Sequence, residues 1–362
     1  MSVRDLIPGM AEQIRINNHG IGPGQPCYVI AEAGVNHNGS LQTAKELVLA
    51  AREVGADCVK FQTFLAQRLI SEAAPKAQYQ LRTTNPTESQ MDMLRKLEMP
   101  EEWHLELMAL CAEQGIDFIS TPYSFEDVDF LDSINTPAFK LASMHCAEPM
   151  FVRYVASRKR PIILSTGMAT SAEIEAAVRA AKQAGNEQII LLQCTTDYPS
   201  KVEDANLRVI PTLVKTFNLP VGYSDHTQTA TACIAAVALG ACVIEKHFTL
   251  DHAMPGPDHA ASFDVGEFRR LVDAIRDVEL ALGSAEKTPS TSELENARTM
   301  RRSLAARQTL RQGDTLTEAA VTFVRPASGI SPSQVALYLG RRMARDVPAG
   351  QLFSPDDFAS GE

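Results

Sequence analysis

No stretch of about 18 consecutive apolar residues occurs in this 362-residue chain, so no membrane span is expected. Its N-terminus, MSVRDLIPGMAEQIR, has no continuous apolar run of the kind that marks a secretory leader, and the chain is expected to be cytoplasmic. Cysteine is present without pairs: none of the seven (Cys27, Cys58, Cys111, Cys146, Cys194, Cys233, Cys242) forms a C-x-x-C spacing. Most lie in apolar contexts where a reduced thiol acts as a small hydrophobe, and an odd number without metal spacing points to a reducing compartment. Positive charge is in deficit, with 34 Lys and Arg against 44 Asp and Glu, a net charge of −10 and a pI near 5.4. That balance argues against nucleic acid or an anionic membrane as partner, so an anionic substrate would need locally placed cations. Low-complexity repeats and coiled-coil heptads are missing too. So is a G-x-G-x-x-G after the first apolar run, which counts against a dinucleotide-binding open sheet.

What is present is an ordinary globular composition, 45% hydrophobic and 22% charged, arranged in an alternation of short apolar runs and amphipathic segments. The runs are YVIAEAG (28 to 34), CVKFQT (58 to 63), DFISTP (117 to 122), AFKLAS (138 to 143), PIILST (161 to 166), IILLQC (189 to 194), PVGYSD (220 to 225) and CVIEKHF (242 to 248). Between them lie helical patterns. LQTAKELVLAAREVG has Ser40 as its cap and Gly55 as its stop, SAEIEAAVRAAKQAG closes on Gly185, and DVGEFRRLVDAIRDVELALG runs from Asp264 to Gly283. Eight such units in about 255 residues predict a (β/α)8 barrel. The long insertion between Thr63 and Glu101 is expected to cover the mouth of that barrel. After residue 283 the pattern changes to a polar connector, 284–302, and then to strand-like pieces (SLAAR, AAVTFVRP, RRMARDV) that predict a small β-rich domain over 303–362.

Barrel strands point alternate side chains inward, so parity assigns faces. Glu32 shares a face with Ile30, Lys60 with Cys58 and Gln62, Glu245 with His247, and Ser224 with His226 just past its strand, while Lys140 lies in the middle of its run. Charges are rarely buried without partners, and here they gather toward the C-terminal ends of strands, where barrel enzymes place their chemistry. A purely structural ion-pair network of Glu32 and Glu245 with Lys60 and Lys140 is the bland alternative. Adjacent strands lie about 4.8 Å apart, so His226 and His247 could reach one divalent ion and leave positions open on it. His252 and His259, on the loop that follows, read as solvent-facing or turn-stabilising, and His19, His37 and His104 have only local polar contexts. The lysines, with Ser143, Ser165 and Ser224 at strand ends, suit a phosphate or carboxylate. An anion cradle, an open metal and a buried carboxylate together suggest carbon–carbon bond chemistry on a phosphorylated small molecule.

AEAGVNHNGS, VKFQTF, ISTPYS, FKLAS, PIILSTGMAT, VGYSDHT, IEKHFTL and PGPDHAAS, in this order, resemble the bacterial sialic acid synthase family, which includes the N-acetylneuraminate, legionaminate-type and other nonulosonate synthases. The likeness runs from about Tyr28 to the C-terminus, where VRPASGI is similar to the family's antifreeze-like (SAF) domain. It implies condensation of phosphoenolpyruvate with an N-acetylated hexose such as N-acetylmannosamine, giving a nine-carbon 2-keto sugar acid and phosphate. The alternative acceptor is a di-N-acetylated deoxyhexose, as for N,N'-diacetyllegionaminate. The resemblance further implies that His226 and His247 hold Mn²⁺, or Mg²⁺ or Co²⁺, and that Glu32 steers the attacking water or shuttles its proton. Lys60, Lys140, Ser143, Ser165, Thr196 and Ser224 would bind phosphoenolpyruvate, and Gln62, Tyr198 and Asp258 would line the sugar side. A domain-swapped homodimer would bring Arg325 across the interface to the N-acetyl group.

Three departures from the family pattern stand out. Met144-His145 follow Ser143 where Gly-Glu is usual, Pro326-Ala327-Ser328-Gly329 follow Arg325 where P-G-N-G is usual, and Thr196 stands where some members have Asn. All fall near the acceptor or its lid. Competing readings fare worse. A synthase acting on a sugar phosphate would need a second Arg/Lys cluster at strand ends, and an amidohydrolase on this barrel would want H-x-H on the first strand, where Glu32-Ala33-Gly34 stand. A non-enzymatic carbohydrate-binding protein would not need the two metal histidines.

Overall fold

The structure, a computed structural model, describes residues 13–359. The first 12 residues, which carry most of the segment weighed above as a leader, lie outside the described residues, as does the end of the C-terminal domain beyond 359. Eight parallel strands close into a barrel in chain order: Tyr28–Gly34, Cys58–Thr63, Asp117–Pro122, Phe139–Leu141, Ile162–Ser165, Ile189–Cys194, Val221–Asp225 and Val243–His247, the eighth pairing with the first. The predicted (β/α)8 barrel is the observed architecture. Register then sets the site, because Glu32 lies beside Lys60 on one side and His247 on the other, and Glu245 lies beside Ser224.

The parity rule holds along the strands. Val29, Ala31, Val59, Phe61 and Ile244 face outward into the core shared with the surrounding helices. Ile30, Cys58, Ile119, Ile163, Ile190 and Val243 face inward. Their N-terminal end is closed by a hairpin that the sequence pattern did not signal, Ile14–Ile16 paired with His19–Ile21, whose Ile14, Ile16 and Ile21 join the inward cluster. Each of those isoleucines is at most 5% exposed, and burying one contributes about 1.5–3 kcal/mol. The helices start as their caps predict: Ser40 accepts from the amide of Thr43, and Asp264 and Glu267 form a reciprocal capping box before Val265–Leu282. Gly55 follows the helix Leu41–Glu53 at φ +82°, a left-handed conformation that suits glycine.

The insertion after the second strand carries three short helices, Ala66–Leu69, Gln78–Thr83 and Gln90–Arg95, and has its own apolar cluster of Val35, Phe64, Ala66, Met91, Met93, Leu94 and Leu97. Contacts divide the chain into two compact units, up to Ala285 and from Glu286 on. The second unit pairs Ser303–Ala306 with Val321–Val324 around Leu304, Leu316, Val347, Phe353 and Phe358. The piece RRMARDV pairs through isolated bridges, such as Met343 to Phe358, and buries Met343 and Val347 in that core. The segment read as a connector, 284–302, contains the helix Thr291–Met300, capped by Ser290 and Glu293 and with no buried residue, so it shows no apolar stripe for a periodicity argument to find. No helix among the described residues is long and apolar enough to cross a membrane.

Candidate active site

The inward side chains change character toward the C-terminal ends of the strands, from aliphatic to charged. Lys60 Nζ lies 2.7 Å from Glu32 Oε2 and 3.7 Å from Glu245 Oε2, and donates to Thr121 Oγ1 at 3.2 Å. Lys140 Nζ lies 3.4 Å from Glu245 Oε1 and donates to Ser165 Oγ at 2.9 Å. Ser224 Oγ donates to Glu245 Oε1 at 2.9 Å, and Gln62 Nε2 to Glu32 Oε1 at 3.3 Å. All four charged groups are at most 5% exposed. Two carboxylates sharing one lysine do not hold their protons equally. Burial pushes Glu32 up to about 7, against the pull of Lys60. Glu245 also feels burial, but Lys140, Lys60 and the Ser224 hydroxyl outweigh it and hold its carboxyl well below the usual range. Near neutral pH the quartet therefore moves between neutral and one net positive charge as Glu32 titrates, which makes a receptive place for an anion and a carboxylate poised for proton transfer.

Beside this quartet stand the two histidines, with ring centroids 5.4 Å apart. His226 Nδ1–H donates to the Thr195 carbonyl at 2.6 Å, which fixes its tautomer and leaves Nε2 with a free lone pair. Burial pushes the His247 imidazole well below its usual pKa, so it stays neutral, and its buried Nδ1 has no hydrogen-bond partner. Burial acts to lower the His226 pKa as well, but the Cys194 thiol and the Thr195 carbonyl outweigh it and raise it, so a cation bound there would displace a proton. Two imidazoles beside an ionised carboxylate are a donor set that fits a divalent ion such as Mn²⁺, although imidazole ligands alone do not select it. The Tyr198 ring covers both, 4.2 Å from His226 and 5.5 Å edge-on to His247.

A third cluster adjoins them. Ser143 Oγ donates to Cys194 Sγ at 3.7 Å, and Thr196 Oγ1 is buried without a hydrogen-bond partner. Gly167, after the fifth strand, makes room between them: a Cβ there would meet Thr196 Oγ1 at 2.3 Å and Ser143 Oγ at 2.7 Å. The eighth loop adds Asp258, whose carboxyl burial pushes up to about 6. Its turn requires Gly256, because a Cβ would lie 2.7 Å from the His259 ring. These groups surround a cavity of about 370 Å³, roofed by Leu69, Ile70, Met93, Leu94 and Leu97 of the insertion. That volume falls in the range of about 300–1,000 Å³ typical of small-molecule sites.

The profile of the NeuB family matches residues 47–287 and that of the SAF domain residues 301–359. The chain is 44% identical to the N,N'-diacetyllegionaminic acid synthase of Legionella pneumophila, over 91% of this chain and 94% of that protein. The chain belongs to the NeuB family. A second N,N'-diacetyllegionaminic acid synthase, from Campylobacter jejuni, is 43% identical over 90% of this chain and 98% of its own length. Among solved structures, the N-acetylneuraminic acid synthetase of Leptospira borgpetersenii serovar Hardjo-bovis, in complex with citrate, superposes with a TM-score of 0.72 at 31% identity, covering 79% of this chain and 95% of that one. As a NeuB-family member with curated synthases this close, the chain is an enzyme, a phosphoenolpyruvate-dependent synthase that forms carbon–carbon bonds.

Of the residues expected at the site of this NeuB-family enzyme, Glu32, Lys60, Lys140, Ser143, Ser224, Gln62, Tyr198, Asp258, His226 and His247 line the one cavity. Ser165 lies behind Lys140 as its hydrogen-bond partner, and Thr196 lies at the Gly167 corner. Arg325 belongs to the second unit, where its Nε donates to the Met300 carbonyl at 3.0 Å. His259 is fully buried, bonded to Thr249 Oγ1 at 2.7 Å, and stabilises its turn. His252 is exposed, and with Asp264 and Glu267 it forms a surface cluster of metal-ligating types. Both carboxylates there already cap the helix Val265–Leu282, and none of the three lines the cavity. His145, which stands where Glu is usual, is buried and stacked on Phe151 with ring centroids 4.6 Å apart, while Met144 lines the cavity wall.

Parity reasoning did not find Thr121, Tyr123 or Cys194. Thr121 lies near the end of the third run and Tyr123 just past it, where no charge drew attention, although both line the cavity and the Tyr123 hydroxyl reaches Gln62 at 3.3 Å. It also did not find the pair behind the histidines. Lys246 Nζ lies 2.7 Å from Asp225 Oδ2, both at most 1% exposed, and Asp225 further accepts from Tyr223, Thr227 and Cys233. The available signal was position, since each residue directly precedes one of the two histidines on the opposite face of its strand.

Proposed function

We propose that this NeuB-family enzyme condenses phosphoenolpyruvate with a di-N-acetylated deoxyhexose and water, giving a nine-carbon N,N'-diacetyllegionaminate-type 2-keto acid and phosphate. The observation that carries the reaction is the convergence of the Lys60–Glu32–Glu245–Lys140 quartet and the His226–His247 pair on one cavity at the strand ends. The choice of acceptor rests on the comparisons. Sequence motifs alone put N-acetylmannosamine first and the di-N-acetylated deoxyhexose second, and relatives named for the second product stand at 44% and 43% identity against 31% for the sialic acid synthetase.

In this reading Lys60 and Lys140 bind the phosphate and carboxylate of phosphoenolpyruvate, helped by the hydroxyls of Ser143, Ser165, Thr196 and Ser224. Glu245 holds both lysines in place. His226 and His247 would hold the divalent cation, which when bound supplies Lewis-acid polarisation of the acceptor aldehyde. C3 of phosphoenolpyruvate bonds to that aldehyde carbon, and the resulting positive character at C2 lies next to Glu32. Water adds at C2 and gives up one proton, by way of Glu32, to the oxygen of the former aldehyde. Phosphate departs with cleavage of the C2–O bond as the remaining C2 hydroxyl releases its proton and becomes the ketone. Gln62, Tyr198 and Asp258 contact the acceptor, and Arg325 is assigned to its N-acetyl group across a domain-swapped homodimer.

Mass spectrometry of the products from purified enzyme, phosphoenolpyruvate and Mn²⁺ tests the acceptor. The nine-carbon acid should form from 2,4-diacetamido-2,4,6-trideoxymannose at a higher kcat/KM than from N-acetylmannosamine. The reverse order would return the enzyme to the N-acetylneuraminate class.

A further inference from the structure

The cavity has two chemically different sides. Its charged lining residues, Glu32, Lys60, Lys140, Glu245 and Asp258, all come from the barrel strands and the eighth loop. The insertion after the second strand supplies Leu69, Ile70, Met93, Leu94 and Leu97, with Gln80 and Gln90 its only polar side chains among the described lining residues. These apolar residues are not scattered. Met93, Leu94 and Leu97 belong with Val35 to one cluster against which Leu69 and Ile70 pack, and Val35 itself lines the cavity. The roof is also tied down at its far end, where Thr83 Oγ1 donates to the carbonyl of Pro257, next to Asp258, at 3.1 Å. On the adjoining wall the chain offers the thioether of Met144, at 40% exposure, while His145 turns away to stack on Phe151.

A hexose held with its aldehyde at the histidines and its hydroxyls toward Asp258 must turn some part of itself to this roof. A hydroxyl placed there loses its water and finds only alkyl carbon and sulfur, whereas a methyl group loses nothing and buries apolar area. We infer that the roof, through Ile70, Leu97 and Met144, is the specificity-determining surface for the acceptor, and that it selects a sugar whose terminal carbon is a methyl rather than a hydroxymethyl. This rests on the condensation proposed above and adds the part of the sugar that is read and the residues that read it. The acetamido methyl groups of the acceptor are suited to the same surface, beside the carboxamides of Gln80 and Gln90.

The test uses two acceptors that differ only at C6, 2-acetamido-2-deoxy-D-mannose and 2-acetamido-2,6-dideoxy-D-mannose, with phosphate release from phosphoenolpyruvate as the readout on the full chain. The 6-deoxy sugar should be favoured in kcat/KM by about 10- to 100-fold, the discrimination an apolar surface achieves against an added hydroxyl. Ile70→Gln and Met144→Gln, at positions that are not fully buried, should each narrow that ratio several-fold by raising KM for the 6-deoxy sugar. Equal kcat/KM for the two sugars, or an unchanged preference in both variants, would overturn the inference while leaving the condensation standing. No phosphate release with any acceptor would overturn the condensation itself, and this inference with it.

Discussion

Glu32 shows how one residue's chemistry depends on which neighbours it must share. It lies closer to Lys60 than Glu245 does, yet it keeps its proton to higher pH because Glu245 has a second lysine and a serine hydroxyl to itself. A base with its pKa near 7 is half ionised at neutral pH in the free protein, so kcat/KM should rise with pH through that value and level off above it. Glu32→Gln, which keeps the shape and removes the titration, should lower kcat by about 10²- to 10⁴-fold and abolish that limb of the pH–rate profile. A variant that keeps both the rate and the limb would remove Glu32 from the proton-transfer role. Gly167 makes a second residue-level case, because adding one methyl group there intrudes on Thr196 and Ser143. Gly167→Ala should raise KM for phosphoenolpyruvate about tenfold or more, with far-UV circular dichroism unchanged; an unaltered KM would place the anion elsewhere in the cavity.

At the scale of elements, the seventh and eighth strands are joined behind the histidines by Lys246 and Asp225. Lys246 also lies 4.2 Å over the Phe263 ring, so its charge is fully enclosed by protein. Removing one partner of such a pair strands the other charge, and Lys246→Met should destabilise the fold by about 3–5 kcal/mol in urea denaturation. The double variant Asp225→Asn with Lys246→Met should recover part of that loss, and equal losses in the single and double variants would show that the two do not act as a pair. Strands and helices were legible because period-2 and period-3.6 patterns survive in runs of this length, and parity placed Glu32, Lys60, Glu245, Ser224 and His247 on one face. Opposite parity is also why Asp225 and Lys246 escaped notice, since the same rule sends them outward toward the helices, away from the barrel interior where charges were sought. The hairpin at Ile14–Ile16 and His19–Ile21 has strands of three residues, too short to show a period. The helix Thr291–Met300 buries nothing and so left no apolar stripe.

The whole molecule carries a net charge of −10, yet its cavity gathers two lysines beside a protonatable carboxylate, so attraction of an anion is a local property of the strand ends. The barrel was legible from eight counted runs, whereas tertiary assembly of the roof was not, because its apolar residues are spread over a polar insertion and converge only in the fold. Arg325 is the proposed contribution of the second unit to acceptor binding. Arg325→Ala should raise the acceptor KM with little change in KM for phosphoenolpyruvate, and sedimentation should show a dimer for the parent chain; an unchanged acceptor KM would exclude the role across an interface. The central claim is that the histidine pair and the lysine–glutamate quartet form one metal-assisted phosphoenolpyruvate-condensing site. Its most direct test is phosphate release from phosphoenolpyruvate with a panel of mono- and di-N-acetylated hexoses, with Mn²⁺ and with chelator, in the parent chain, His226→Ala and His247→Ala. The predicted result is acceptor-dependent release that chelator abolishes, and two folded variants that neither retain metal nor turn over. Metal-dependent turnover retained in either variant, or no release with any acceptor when metal is supplied, would contradict it.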